Sequence, residues 1–273
     1  MNDTKVLCRE NQRKDLPDYL VYVKKYVHKN TSKNMQDNIY YRIIGYAATI
    51  IMHLSNIYFM AKGIKKEHLD DPVLRSFANL QARYFTCWTF GLQIIYAVIG
   101  LICDFSTLRN RKNINYKLPK HLIGLRDTLF AAIIWPSTFL VFTVFWSLFL
   151  YDRDLILPVN IDKVLTPISN HVIHTAIVPV VLWELLFRPR AEPKSHIRYV
   201  AHSVFHLFVY LLVLTYTYLE RGTWIYPVLT KAFGTINFPI ICAVMLFIKI
   251  FSYFMQWKLN SIVHGKYVNK KPL

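Results

Sequence analysis

Six stretches of this chain contain no Asp, Glu, Lys or Arg, and together they leave few folds open. They cover 43–61, 84–103, 128–151, 164–183, 199–219 and 232–247, the last interrupted by Lys249 and resuming through Trp257. A helix needs about 20 mostly apolar residues to cross ~30 Å of hydrocarbon. Five stretches reach or approach that length, and the sixth does so when Lys249 snorkels or faces the bundle. Composition agrees: 54% of the 273 residues are apolar and 18% charged, below the roughly 25% charged of soluble domains. The expected fold is all-α, a polytopic bundle of six transmembrane helices at 43–257. Basic tails at 1–42 and 258–273 flank it.

The net charge of +17 is explained by topology rather than by a nucleic-acid partner. Lys and Arg number 9 in the N-terminal tail, 6 in the second loop, 4 in the fourth and 4 in the C-terminal tail. The first, third and fifth loops hold only 5, 2 and 2. Excess positive charge marks the cytosolic face, so both termini are expected there. The first 42 residues lack the basic, apolar, small-residue order of a cleaved signal peptide. Leu16, Tyr19, Leu20, Val23, Tyr26 and Val27 share one helical face, which suits either a surface-lying helix or a solvated arm. Lys270-Lys-Pro-Leu273 has the form of an endoplasmic-reticulum retrieval signal. The expected location is therefore the endoplasmic reticulum, another endomembrane or the plasma membrane. Asn2 and Asn30 stand in glycosylation patterns that a cytosolic tail would keep from use. Four scattered cysteines form neither a disulfide framework nor a zinc spacing.

Pro136, Pro179 and Pro239 fall inside the third, fourth and sixth stretches and are each expected to kink a helix. Pro167 suits a helix start. Polar side chains in lipid are costly and raise a functional question. Thr49, His53 and Asn56 share a face of the first span, and Thr86, Thr89 and Gln93 a face of the second. The fourth carries Asn170, His171, His174 and Glu184, and the fifth His202 and His206. Each alone is as readily structural, a Thr bonded to its own helix or a His tying two helices together. The spacings His171/His174 and His202/His206 suit metal ligands. A metal-dependent lipid oxidase or hydroxylase is thus one reading, although such enzymes need more clustered histidines. A transporter or adaptor with a polar cavity is another. The sequence contains no Gly-x-Ser-x-Gly elbow and no His-Glu-x-x-His. A Thr or Ser hydroxyl activated by a His on another helix remains open, since spacing cannot reveal such a pair.

Several segments carry a resemblance: Arg83-Tyr-Phe-Thr86, Leu125-Arg-Asp127, Pro136 with Phe145-Trp146, Leu150-Tyr-Asp-Arg-Asp-Leu-Ile156, Asn170-His-Val-Ile-His-Thr175 and Gly222-Thr-Trp-Ile-Tyr-Pro227. In this order they resemble the family of androgen-induced gene 1 protein and androgen-dependent TFPI-regulating protein, over about residues 43 to 260. The resemblance implies a multipass hydrolase of fatty acid esters of hydroxy fatty acids. It needs no cofactor or metal and takes its lipid ester from the bilayer. It places the nucleophile at Thr86 and its partner at His174, with His171 supporting. Thr89 offers a second hydroxyl on the face of Thr86. Asn170, one turn before His174, is placed either to orient the imidazole or to tie two helices, the second reading being favoured. From helix starts alone, Thr86 and His174 differ in depth by ~6 Å.

Overall fold

The computed structural model describes residues 18–113 and 115–265, with side chains from Asn38 onward. The surface-helix face of the N-terminal tail, both glycosylation patterns and the Lys270-Lys-Pro-Leu273 signal lie outside the described side chains. The chain divides into two units, Met1–Tyr41 and Arg42–Leu273, and the second carries the bundle and its cavity. All regular structure among the described residues is helical.

Six helical segments are long and apolar enough to cross a membrane: Asn38–Gly63, Phe85–Arg109, Lys120–Tyr151, Pro167–Phe187, Ile197–Arg221 and Asn237–His264. The spans extend beyond most of the charge-free stretches because charged residues continue the helices and pair with one another inside the bundle. Asp104 accepts from Arg42 Nε at 2.8 Å and from Arg126 Nη1 at 3.1 Å. Glu184 accepts from the Tyr46 hydroxyl at 2.5 Å and from the Tyr96 hydroxyl, and Arg188 Nη2 meets Asp127 at 2.6 Å. This network ties the first four spans at the end of the bundle that holds the second and fourth loops. Unpaired charges there would cost several kcal/mol each, so the pairing is a condition of burial. Nearer mid-span, Gln93 meets His53 Nε2 and donates to Thr138 Oγ1 and to the Ile177 carbonyl, each at 3.0 Å. One amide thereby links four spans. Lys249 faces the bundle rather than snorkelling. It is wholly buried, with Nζ 2.9 Å from both Ser137 Oγ and His206 Nδ1 and 5.4 Å from the centre of the Phe85 ring. The outer surface is apolar, with Ile51, Leu219 and Phe247 exposed, as lipid contact requires.

The prolines behave in three ways. Before Pro136 the third span takes a π-helical stretch, Leu129–Ile134, which absorbs the missing N–H and the ring clash. The fourth span breaks between Pro167–His174 and Ile177–Phe187, one turn before Pro179. Ala176 N–H reaches back to the His171 carbonyl (2.9 Å), and Val178 N–H to that of Thr175 (3.0 Å). Pro239, in contrast, makes no mid-helix kink. The sixth span begins at Asn237 rather than near Ala232, because a short helix, Pro227–Ala232, ends at a turn where Gly234 adopts φ +79°. Pro239 therefore sits in the first helical turn, where no intrahelical N–H bond is lost. Pro167 opens its helix behind Thr166, whose Oγ1 accepts the Ser169 N–H at 3.1 Å, the usual office of an N-cap threonine.

Candidate active site

The second span starts behind a tight turn, Gln81–Arg83, held by the Trp88 indole N–H donating to the Ala82 carbonyl at 2.8 Å. Tyr84 stands in extended conformation at the cap position and supplies no side-chain cap. Two tyrosines from elsewhere in the fold take that role. Phe85 N–H donates to Tyr210 Oη at 3.0 Å and to Tyr226 Oη at 3.1 Å. Thr86 is thus the second residue of a helix whose start is pinned from outside. Side chains on a helix lean toward its N-terminus, which carries the Thr86 hydroxyl to the end of the bundle holding the first, third and fifth loops.

His174 is the last residue of the helix Pro167–His174, just before the break. Thr86 Oγ1 and His174 Nε2 stand 3.3 Å apart, so the depth offset expected from helix starts does not separate them. The other ring nitrogen defines the tautomer. His174 Nδ1 lies 2.7 Å from Asn170 Oδ1 and 3.1 Å from the Asn170 carbonyl oxygen. A backbone carbonyl can only accept, so Nδ1 carries the proton and Nε2 presents a lone pair to the hydroxyl. The imidazole also lies flat on Phe145, with ring centres 3.4 Å apart and planes 4° apart. Asn170 therefore orients the imidazole, the less favoured of its two expected roles. Thr89 is otherwise engaged, its hydroxyl donating to the Phe85 carbonyl at 3.0 Å. His171 stacks on Trp146 and meets Thr175 Oγ1 at 3.1 Å.

Thr86 and His174 line a cavity of about 660 Å³, within the range of lipid and drug-sized sites. Its wall is largely apolar, built from Leu140 and Val141 of the third span, Leu214 of the fifth and Val244 of the sixth. A short helix of the first loop, Pro72–Asn79, contributes Val73 and Phe77, and the third and fifth loops contribute Leu157 and Trp224. Ile240 and Val244 of the sixth span line the cavity and are about half exposed.

The histidine spacings that suggested metal ligands are divided among different partners. His202 is exposed, with Nδ1 2.5 Å from the Arg198 carbonyl oxygen, whereas His206 serves Lys249. Among the described residues no three His, Cys, Asp or Glu side chains gather as a metal site would require.

The profile of a family described as FAR-17a/AIG1-like protein matches residues 41–261. The chain belongs to this family. Human androgen-dependent TFPI-regulating protein is 33% identical over 212 residues, spanning 73% of this chain and 89% of that protein. The mouse protein of the same name is 33% identical over 148 residues, 54% of this chain and 62% of its own. Human androgen-induced gene 1 protein is 29% identical over 150 residues, 54% of this chain and 63% of its own. No solved structure matches the chain. The site draws on two segments that carried the resemblance, Arg83-Tyr-Phe-Thr86 and Asn170-His-Val-Ile-His-Thr175. Sequence reasoning missed Tyr210 and the role of Tyr226 within Gly222-Thr-Trp-Ile-Tyr-Pro227.

Proposed function

We propose that this integral membrane protein hydrolyses fatty acid esters of hydroxy fatty acids, with Thr86 as nucleophile and His174 as its base. The observation that carries the reading is the 3.3 Å approach of Thr86 Oγ1 to a lone-pair-bearing Nε2 in a largely apolar cavity. A hydroxyl is a weak nucleophile until a neighbouring base takes its proton. An imidazole held by an acceptor at Nδ1 is the arrangement that recurs across hydrolase folds. The ester substrate class comes from the family resemblance, and the apolar wall suits the acyl chains of such an ester.

In the first half-reaction His174 Nε2 takes the Thr86 proton as Oγ1 bonds to the ester carbonyl carbon. The tetrahedral species collapses, the carbon–oxygen bond to the hydroxy fatty acid breaks, and His174 returns the proton to that leaving oxygen. Water, deprotonated by the same imidazole, then adds to the acyl-threonine. The fatty acid leaves and Thr86 regains its proton. With both termini cytosolic, as the charge excess argues, the site lies in the non-cytosolic leaflet, in the endoplasmic reticulum, another endomembrane or the plasma membrane. The test uses purified protein in nanodiscs with a branched fatty acid ester and a fluorophosphonate probe. Thr86→Ala and His174→Ala should each abolish turnover while inserting and melting normally. Retained hydrolysis in both would refute the assignment.

A further inference from the structure

The hydrolytic reading leaves one requirement unfilled: a donor for the negative oxygen that forms when Thr86 attacks. Such donors stand 2.7–3.1 Å from the place where charge develops. The hydrogen bonds around Phe85 identify one by proton count. Tyr210 Oη is 3.2 Å from the Arg83 carbonyl and 2.9 Å from Tyr226 Oη. Both hydroxyls also accept from Phe85 N–H. A phenol has a single proton. With the Tyr210 proton on the Arg83 carbonyl, the 2.9 Å contact between the hydroxyls is donated by Tyr226, whose proton is then held by Tyr210 Oη. With the Tyr210 proton on Tyr226 instead, the Tyr226 proton must point away from Tyr210. In this second arrangement the bond between the two hydroxyls is satisfied and the Tyr226 proton is left for another acceptor, and Tyr226 forms part of the cavity wall beside Thr86 and His174.

Position agrees with the count. Tyr226 Oη is anchored 3.1 Å from the backbone nitrogen of the residue preceding Thr86. The Thr86 side chain leans toward that same helix end, whose partial positive charge favours a developing anion. The Tyr226 ring is fixed by Tyr84, packed edge-on at 5.6 Å. Tyr210 also lines the cavity, but it is wholly buried and its hydroxyl is shared among Phe85 N–H, the Arg83 carbonyl and Tyr226.

We propose that Tyr226 is a further catalytic residue, donating its hydroxyl proton as a hydrogen bond to the carbonyl oxygen of the ester while Thr86 attacks, with Tyr210 positioning it. The proposal rests on the Thr86–His174 reading. Burial pushes the Tyr226 hydroxyl up to about 12, so it remains a donor across the working pH range.

The experiment compares wild type, Thr86→Ala, Tyr226→Phe and Tyr210→Phe in nanodiscs, on an ester and on its thionoester, whose sulfur is a poorer acceptor. Tyr226→Phe should lower kcat about 10²- to 10³-fold, change KM little, and erase much of the preference for ester over thionoester. That preference would not move if Tyr226 served only to pin the helix. A dead Thr86→Ala beside a Tyr226→Phe with wild-type kcat overturns this proposal alone. An active Thr86→Ala overturns the hydrolase reading beneath it. Should Tyr226→Phe fail to fold, trifluorotyrosine at position 226 replaces it. That side chain keeps the hydroxyl but ionises at lower pH, so the alkaline limb of kcat should move down. An unmoved limb overturns the proposal.

Discussion

Removing the Asn170 side chain should slow hydrolysis by about one order of magnitude and no more. His174 Nδ1–H has two acceptors in one residue, the side-chain oxygen at 2.7 Å and the main-chain carbonyl at 3.1 Å. Asn170→Ala deletes the first and keeps the second, because the backbone survives any substitution. A typical hydrogen bond contributes about 0.5–1.5 kcal/mol net, and each 1.36 kcal/mol is tenfold in rate. The expected loss in kcat is therefore roughly 2- to 13-fold, with Phe145 still fixing the ring plane at 4°. The wrong tautomer would be far worse, since forcing one onto a hydroxyl–imidazole pair costs about 10⁴ in kcat. The assay is steady-state hydrolysis of a fatty acid ester by purified Asn170→Ala and His174→Ala protein, normalised to folded protein by thermal melting. Equal loss in the two variants would show that the carbonyl does not hold the tautomer. No loss at all would show that the amide does not orient the ring.

The packing yields three further expected outcomes. Glu184→Ala strips Arg126 and Arg188 of a buried carboxylate and should destabilise the bundle by about 3–5 kcal/mol; thermal unfolding in detergent reads this, with kcat per folded molecule unchanged because the site lies at the other end. Gly100→Val pushes a side chain into the Tyr46 ring, which a Cβ at position 100 would already meet at 2.6 Å. It should cost about 1–3 kcal/mol by overpacking, seen as a lowered melting temperature. Val141→Trp narrows the cavity from its buried wall and should raise KM for long-chain esters while sparing a short acetyl ester, measured by comparing the two substrates.

What could be read in advance divides by the range of the forces involved. The six spans were legible because hydrocarbon excludes charge over ~30 Å, which writes itself into runs of residues. The contact of Thr86 with His174 could be expected only through the resemblance, since 88 residues separate them and no local spacing records a contact between helices. The start of the sixth span was not legible. The Phe233-Gly234 turn that delays it is as apolar as the helix beyond it, so hydropathy could not mark the boundary. Lys249 admits two orientations in sequence because a snorkelling lysine and an inward one have the same flanks. Its place is decided by Ser137 and His206, on spans whose rotation the sequence does not state.

The two ends of the bundle solve opposite problems, and the division explains why the site stands where it does. At one end Arg42, Asp104, Arg126, Glu184 and Arg188 neutralise each other, drawing the first four spans together. Asp104 lies 18 residues beyond Thr86, ~27 Å along the same helix, so that clamp holds the helices without entering the hollow. At the other end Thr86, Tyr226 and His174, held by hydrogen bonds, are set among Leu140, Val141 and Val244 in a lining that also includes Gln81 and Arg221. A charged nucleophile there would have needed a counter-ion and its own hydration, and both would have opposed an acyl chain arriving from lipid. A neutral hydroxyl beside a neutral base costs little to bury, and under the proposed function it would become charged only as the ester carbonyl approaches. In the proposed hydrolysis the helix start pinned by Tyr210 and Tyr226 would then supply the compensating dipoles.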